Sequence, residues 1–143
     1  MGLDMYLRAK KYVGGIRSEI PQDLQQAFKG AFELTKVYEV GYWRKFYPLH
    51  NLIVELCEAQ EDNCYEMYLN DRVIGEVIDT LNNWIEKIET GTPYYEIDSE
   101  WVYLKDCFFT KEDAIEYIQR AINLFKKSLT LSADYDFYYY AWY

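Results

Sequence analysis

Asn70-Asp-Arg-Val-Ile-Gly-Glu-Val-Ile-Asp-Thr-Leu-Asn-Asn-Trp-Ile-Glu-Lys-Ile-Glu-Thr-Gly91 is the stretch whose reading decides the fold. Val73, Ile74, Val77, Ile78, Leu81, Ile85 and Ile88 recur at helical spacing, with Glu76, Asp79, Asn83 and Glu86 on the opposite side. Asn70 or Asp71 offers a short side-chain oxygen to the free N–H groups of the first turn. Gly91-Thr-Pro93 stops the pattern. One long amphipathic helix therefore lies in the middle of the chain. A second follows Thr110, where Asp113 stands in the reciprocal place of a capping box. Its inward positions are Ala114, Ile115, Ile118, Ala121, Ile122, Phe125 and Leu129.

The two ends of the chain have a different period. Leu3, Met5 and Leu7 alternate with Asp4, Tyr6 and Arg8, as in a half-buried strand. Residues 135–143 are rich in strand-forming aromatics: Phe137, Tyr139 and Ala141 on one parity, Tyr138, Tyr140 and Trp142 on the other. Aromatics on both parities fit a strand covered twice or one that presents a recognition surface. Pairing of the first and last segments would tie down both termini. Phe32, Leu34, Tyr38, Val40 and Tyr42 share one parity and predict another extended segment. Tyr65–Leu69 and Trp101–Phe109 predict shorter ones. Pro48 favours a helix start, with Leu49, Leu52, Ile53, Leu56 and Cys57 as its apolar stripe. Asp23–Lys29 predicts a short helix packed through Leu24, Ala27 and Phe28. Strands and helices are mixed without strict alternation. The expected class is α+β, a small, mainly antiparallel sheet packed against three to four helices.

The 143 residues are half hydrophobic and contain only 7 glycines and 3 prolines. That predicts a single domain over 1–143, without long linkers or repeats. Charge is uneven. Residues 1–50 hold 8 Lys/Arg against 5 Asp/Glu, and residues 51–100 hold 2 against 13, within a net charge of −9. Such a field repels phosphate backbones, so direct nucleic-acid binding is not expected. The N-terminal residues do not read as a signal peptide, and no apolar run approaches the roughly 20 residues of a membrane span. Three cysteines, Cys57, Cys64 and Cys107, make an odd number, which favours reduced thiols and a cytoplasmic setting. One histidine and scattered cysteines lack the paired spacing of a zinc site, and no phosphate-cradling motif is present, so neither a metal nor a cofactor is expected.

The segment with the most chemistry is Glu39-Val-Gly-Tyr-Trp-Arg-Lys-Phe-Tyr-Pro-Leu-His50. It sets two cations and the sole histidine among four aromatic rings. Arg44 and Lys45 suit a phosphate or carboxylate, Tyr42 and Trp43 suit stacking on a flat ring, and His50 suits a hydrogen bond. These five are the ligand-binding candidates, for a small anionic, nucleotide-like molecule. A core aromatic cluster with two solvated cations, and a satisfied histidine at the core edge, accounts for the same residues. Glu76, Asp79 and Glu86 are the partner-binding candidates. On that reading they imitate a phosphate track in an acidic DNA mimic that inhibits a nucleic-acid-binding protein. A solvated helix face explains them as well. No catalytic motif is present. A small hydrolase or transferase would have to use His50 with a carboxylate, or with a thiol such as Cys57 or Cys64.

Met1-Gly-Leu-Asp-Met-Tyr-Leu7, Glu39-Val-Gly-Tyr-Trp-Arg-Lys45 with Leu49-His50-Asn51, and Asp136-Phe-Tyr-Tyr-Tyr-Ala-Trp142 together resemble a small family of short proteins encoded by bacteriophages and by bacterial genomes carrying prophages. The resemblance implies the cytoplasm of an infected bacterium. It also implies an accessory binding protein that antagonises a host defence or regulatory component by stoichiometric binding. The expected partner is a host protein or a small anionic ligand.

Overall fold

The computed structural model describes residues 2–16, 19–31, 33–58, 66–91, 94–97, 100–103 and 110–142. In chain order the elements are β1 (Asp4–Ile16), α1 (Gln22–Ala27), β2 (Glu33–Arg44), α2 (Tyr47–Leu56), β3 (Met67–Leu69), α3 (Asp71–Glu89), β4 (Tyr94–Ile97), β5 (Glu100–Tyr103), α4 (Lys111–Leu131) and β6 (Asp136–Trp142). The fold is α+β: a four-stranded antiparallel sheet, ordered β2-β1-β6-β3, with four described helices. A separate β4-β5 hairpin completes it. The first and last strands pair from Asp4↔Trp142 to Lys10↔Asp136.

Local chemistry explains the long helices. Asn70 Oδ1 accepts from the Val73 N–H at 2.9 Å and opens α3. Thr110 Oγ1 accepts from the Asp113 N–H at 3.0 Å and opens α4. Each cap satisfies a donor that the helix cannot satisfy itself. Past Thr90, Gly91 takes a φ of +87°, which a glycine adopts at no steric cost. The buried stripe of α3 runs through Val73, Ile74, Val77, Ile78, Leu81, Trp84 and Ile88. Trp84 joins it, while Ile85 is only half-buried. That of α4 runs through Ala114, Ile118, Ala121, Ile122 and Phe125 to Ser128. Each large aliphatic side chain sealed there contributes roughly 1.5–3 kcal/mol of apolar burial.

These stripes meet one face of the sheet. Leu3, just before β1, and Met5, Leu7 and Ala9 of β1 point into the core, as do Phe137, Tyr139 and Ala141 of β6 and Leu69 of β3. Trp43 of β2 stacks on Phe125 of α4, with centroids 5.6 Å apart and rings 8° from parallel. Phe46, just before α2, meets Tyr117 of α4 at 5.3 Å and Trp84 of α3 at 6.4 Å.

Two expectations need correction. The single parity from residue 32 to 42 does not persist. Leu7 pairs with Gly41 but Arg8 pairs with Glu39, so Val40 is an extra residue in β2. Such a bulge reverses the alternation. Lys36 and Tyr38, opposite Lys11 and Ala9, face the helices before it, and Gly41 and Trp43 face them after it. Phe32 lies outside the described residues. The helix predicted over 23–29 forms as α1, but it buries no residue, and Leu24 and Phe28 remain exposed. Its place explains this. β6 pairs with β1 only as far as Lys10, so the rest of β1 and its β2 partner run on as a two-stranded ribbon, and α1 sits on the connection at the ribbon's end. Gly14 and Gly15, at φ +72° and +83°, allow the irregular register between Tyr12 and Ile16.

The predicted strand over 65–69 is present as β3 and the start of that over 101–109 as β5; residues 65 and 104–109 lie outside the described residues. Cys64 and Cys107 lie outside the described residues.

Candidate functional site

The five residues singled out around β2 do not converge. Adjacent residues of a strand point to opposite faces. Tyr42 and Trp43 therefore separate: Trp43 is sealed in the core, and Tyr42 is half-exposed on the far side of the sheet. Arg44 keeps 64% of its side chain in solvent, its Nε 3.9 Å from Asp4 Oδ1. Lys45 is exposed and acts through its backbone. Its φ of +56° lies in the left-handed region, and its N–H donates to the Leu3 carbonyl at 2.7 Å. That turn ends β2 and directs the chain into α2. His50 is 1% exposed; its Nδ1 shares a 2.5 Å hydrogen bond with the buried Tyr139 hydroxyl of β6. Trp43 and His50 are core residues, whereas Arg44 and Lys45 are exposed and flank Gly2 together, where an added Cβ would come 3.3 Å from Arg44 Nε and 3.4 Å from Lys45 Cε. A single pocket lined by all five is not what this arrangement forms.

The acidic candidates lie on α3. Asp79 and Glu86 are exposed, and Glu76 accepts from Arg72 Nη1 at 3.1 Å. Lys87, Asn82 and Asn83 sit in the same helix, which dilutes any continuous track of negative charge. Cys57 is half-buried at the end of α2. Burial raises its thiol pKa, and the Arg72 charge only partly offsets this, so little of it is thiolate near neutral pH. Among the described residues, no group of three or more His, Cys, Asp or Glu side chains is placed to hold a metal ion. No described helix is long and apolar enough to cross a membrane.

The most distinctive surface is the sheet face turned away from the core. The register collects Tyr6, Arg8, Lys10 and Tyr12 of β1 beside Tyr138, Tyr140 and Trp142 of β6, with Tyr42 and Glu39 of β2 and Tyr68 of β3 at the sides. Tyr42, Tyr68 and Trp142 are 48%, 53% and 58% exposed. The rings touch one another across strands: Tyr6–Tyr42 at 5.4 Å, Tyr6–Tyr140 at 6.2 Å and Tyr68–Tyr138 at 5.4 Å between centroids.

The cations of this face are occupied within it. The Arg8 guanidinium lies 4.6 Å from the Tyr140 centroid, and its nitrogens reach Glu39 and Glu66 at 3.4 Å each. Lys10 Nζ lies 4.3 Å from the Tyr138 centroid and 2.6 Å from Glu66 Oε1. Partial burial pushes the Glu66 pKa up, but the Lys10 and Arg8 contacts outweigh it and hold the carboxyl below its ordinary value of 4.5. The Tyr42 hydroxyl donates to Asp4 Oδ1 at 2.6 Å, and that bond first, then burial, raises the phenol's pKa. The result is a flat area of rings and hydroxyl tips whose charges are already matched.

The alternation of residues 135–143 carried a signal for half of this surface. The rest was hidden, because Tyr6, Tyr42 and Tyr68 join the C-terminal rings only through a pairing register that no local pattern encodes. No family model, no curated protein and no solved structure matches this chain.

Proposed function

We propose that this protein is a binding protein rather than an enzyme, and that it holds a protein partner stoichiometrically on the open, tyrosine-lined face of its sheet. The observation that carries the reading is the cross-strand array in which Tyr42, Tyr68 and Trp142 are about half exposed around the partly buried Tyr6, Tyr138 and Tyr140, charge-matched by Arg8, Lys10, Glu39 and Glu66. Tyr, Trp and Arg are the residue types that dominate binding energy at protein interfaces. Rings already held by their neighbours lose little entropy on docking.

Size agrees with this. Four strands span roughly 20 Å across, and the seven residues of β6 run roughly 23 Å along. That is about half of the ~800 Å² that each partner contributes to a standard interface, the right extent for its central patch. The matched charges speak against a free small anion as the main ligand of this face, because neither Arg8 nor Lys10 is unpaired. The resemblance to phage and prophage proteins supplies the setting, a host defence or regulatory protein as the partner.

The test is capture from the lysate of a bacterial host. Immobilised wild-type protein should retain one protein near one-to-one, and a Tyr42→Ala/Tyr68→Ala/Trp142→Ala variant should lose it. Retention by that variant, together with loss on Glu76→Lys/Asp79→Lys/Glu86→Lys, would overturn this reading in favour of a DNA mimic acting through α3.

A further inference from the structure

On the other side of the sheet, where β2 leaves its regular path, lies a cleft of about 660 Å³ between β1, β2, β6 and the last turns of α4. The sequence explains the space. Ala9 on the sheet and Ser128 on α4 are both small and both buried, so the layers are left unfilled between them, and the bulge at Val40 displaces the strand beside them. The walls are apolar: Val40, Leu124, Leu131 and Phe137 line it, with the rings of Tyr38 and Tyr135 in edge contact at 6.4 Å. Ser128 donates its hydroxyl back to the Leu124 carbonyl at 2.9 Å, so that group is already paired within the helix. Glu39 also borders the cleft, but its carboxylate reaches Arg8 on the opposite face.

The charge left at the cleft is positive. Lys127 lines it and forms no ion pair among the described residues. Lys11 Nζ stands 5.3 Å from the centroid of Tyr135, which lines the same cleft. The Leu131 carbonyl at the end of α4 is already taken by the N–H groups of Asp134 and Tyr135, so it does not oppose an anion there. Lys36, the next cation along the ribbon, is paired with Glu19.

We propose that this cleft binds a single-chain amphiphile with an anionic head. The chain lies against Val40, Leu124, Leu131 and Phe137, and the head is held by Lys127 and Lys11. The volume falls within the ~300–1,000 Å³ of small-molecule sites. The wall from Leu124 to Leu131 is two turns of α4, roughly 10 Å, which suits a chain of medium length. This site is on the opposite side of the sheet from the tyrosine face and does not rest on that face having a protein partner.

The probe is decanoate, with decyltrimethylammonium as the head-group control, titrated calorimetrically into the full chain. Decanoate should bind with one-to-one stoichiometry, at least tenfold more tightly than the ammonium compound. Val40→Trp, which fills the cleft from a half-exposed position, should weaken decanoate at least tenfold, and Lys127→Glu at least threefold. Leu131→Glu, also at a half-exposed position, should abolish binding, and thermal unfolding of each variant checks that the fold persists. Lack of saturable decanoate binding, equal affinity for the cation, or full affinity in the folded Val40→Trp and Leu131→Glu variants would each overturn the proposal.

Discussion

Replacing Tyr139 by phenylalanine removes one oxygen from the centre of the molecule and should be costly for its size. Tyr139 is fully buried, His50 is 1% exposed, and the hydroxyl and Nδ1 are 2.5 Å apart. Without the hydroxyl, a buried ring nitrogen loses its partner where water cannot replace it. The cost of leaving such a group unsatisfied is about 1–3 kcal/mol, so we expect about 2 kcal/mol. At this chain length that lowers Tm by roughly 4–8 °C. The assay is urea unfolding followed by tryptophan fluorescence, with an unchanged slope showing that the native and unfolded states are otherwise comparable. Both side chains have further contacts, so a single variant does not isolate the pair. The double-mutant cycle with His50→Leu does, and it should give a coupling of about 1–2 kcal/mol, the double variant losing less than the two single losses together. A Tyr139→Phe protein within about 0.3 kcal/mol of wild type, or strictly additive losses, would refute the assignment of His50 as a core residue held by Tyr139.

Three further outcomes follow from particular contacts. A Cβ added at Gly41 would come within 3.2 Å of Leu124 Cδ1 and Leu7 Cβ and 3.3 Å of the Trp43 ring; Gly41→Ala should cost about 1–3 kcal/mol in urea unfolding, and an unchanged midpoint would contradict the packing described. Lys45 has a φ of +56°, so Lys45→Gly should be at least as stable as wild type, while Lys45→Val should lose about 1–2 kcal/mol by thermal unfolding; the reverse order would contradict a left-handed turn there. The Glu66 carboxyl is held below 4.5 in the folded state, so its stabilising effect is present above that pH and is lost as pH falls through the lowered folded value. The difference in stability between wild type and Glu66→Gln should narrow as pH drops below 4.5, and a difference independent of pH would contradict the Lys10–Glu66–Arg8 contacts.

The parts of the fold that were legible in the sequence are those whose physics is local. Asn70, Thr110 and Gly91 mark helix ends because each satisfies or releases backbone groups within one turn. The period-two pattern of Leu3, Met5 and Leu7 needs only one buried face to be read, and the pairing of the two terminal strands followed from it. What escaped depends on contacts between distant segments. The bulge at Val40 carries no local mark, yet it reverses the facing of half of β2. Trp43, Arg44, Lys45 and His50 are neighbours in the chain, but the strand and the helix bury Trp43 and His50, and only Arg44 and Lys45 stay together in solvent, beside Gly2. Glu66 falls within the segment predicted over 65–69, but nothing local shows that it binds both cations of the open face; that contact arises because β3 pairs with β6.

The account turns on which surface holds the partner. With the captured protein purified, its dissociation constant should be measured for wild type, for Tyr42→Ala/Tyr68→Ala/Trp142→Ala and for Glu76→Lys/Asp79→Lys/Glu86→Lys. Three half-exposed rings lost from the centre of an interface, at about 1 kcal/mol or more each, should weaken binding at least a hundredfold, while the α3 variant stays within about threefold of wild type. Undiminished affinity in the folded aromatic variant would contradict the assignment of the sheet face as the binding surface.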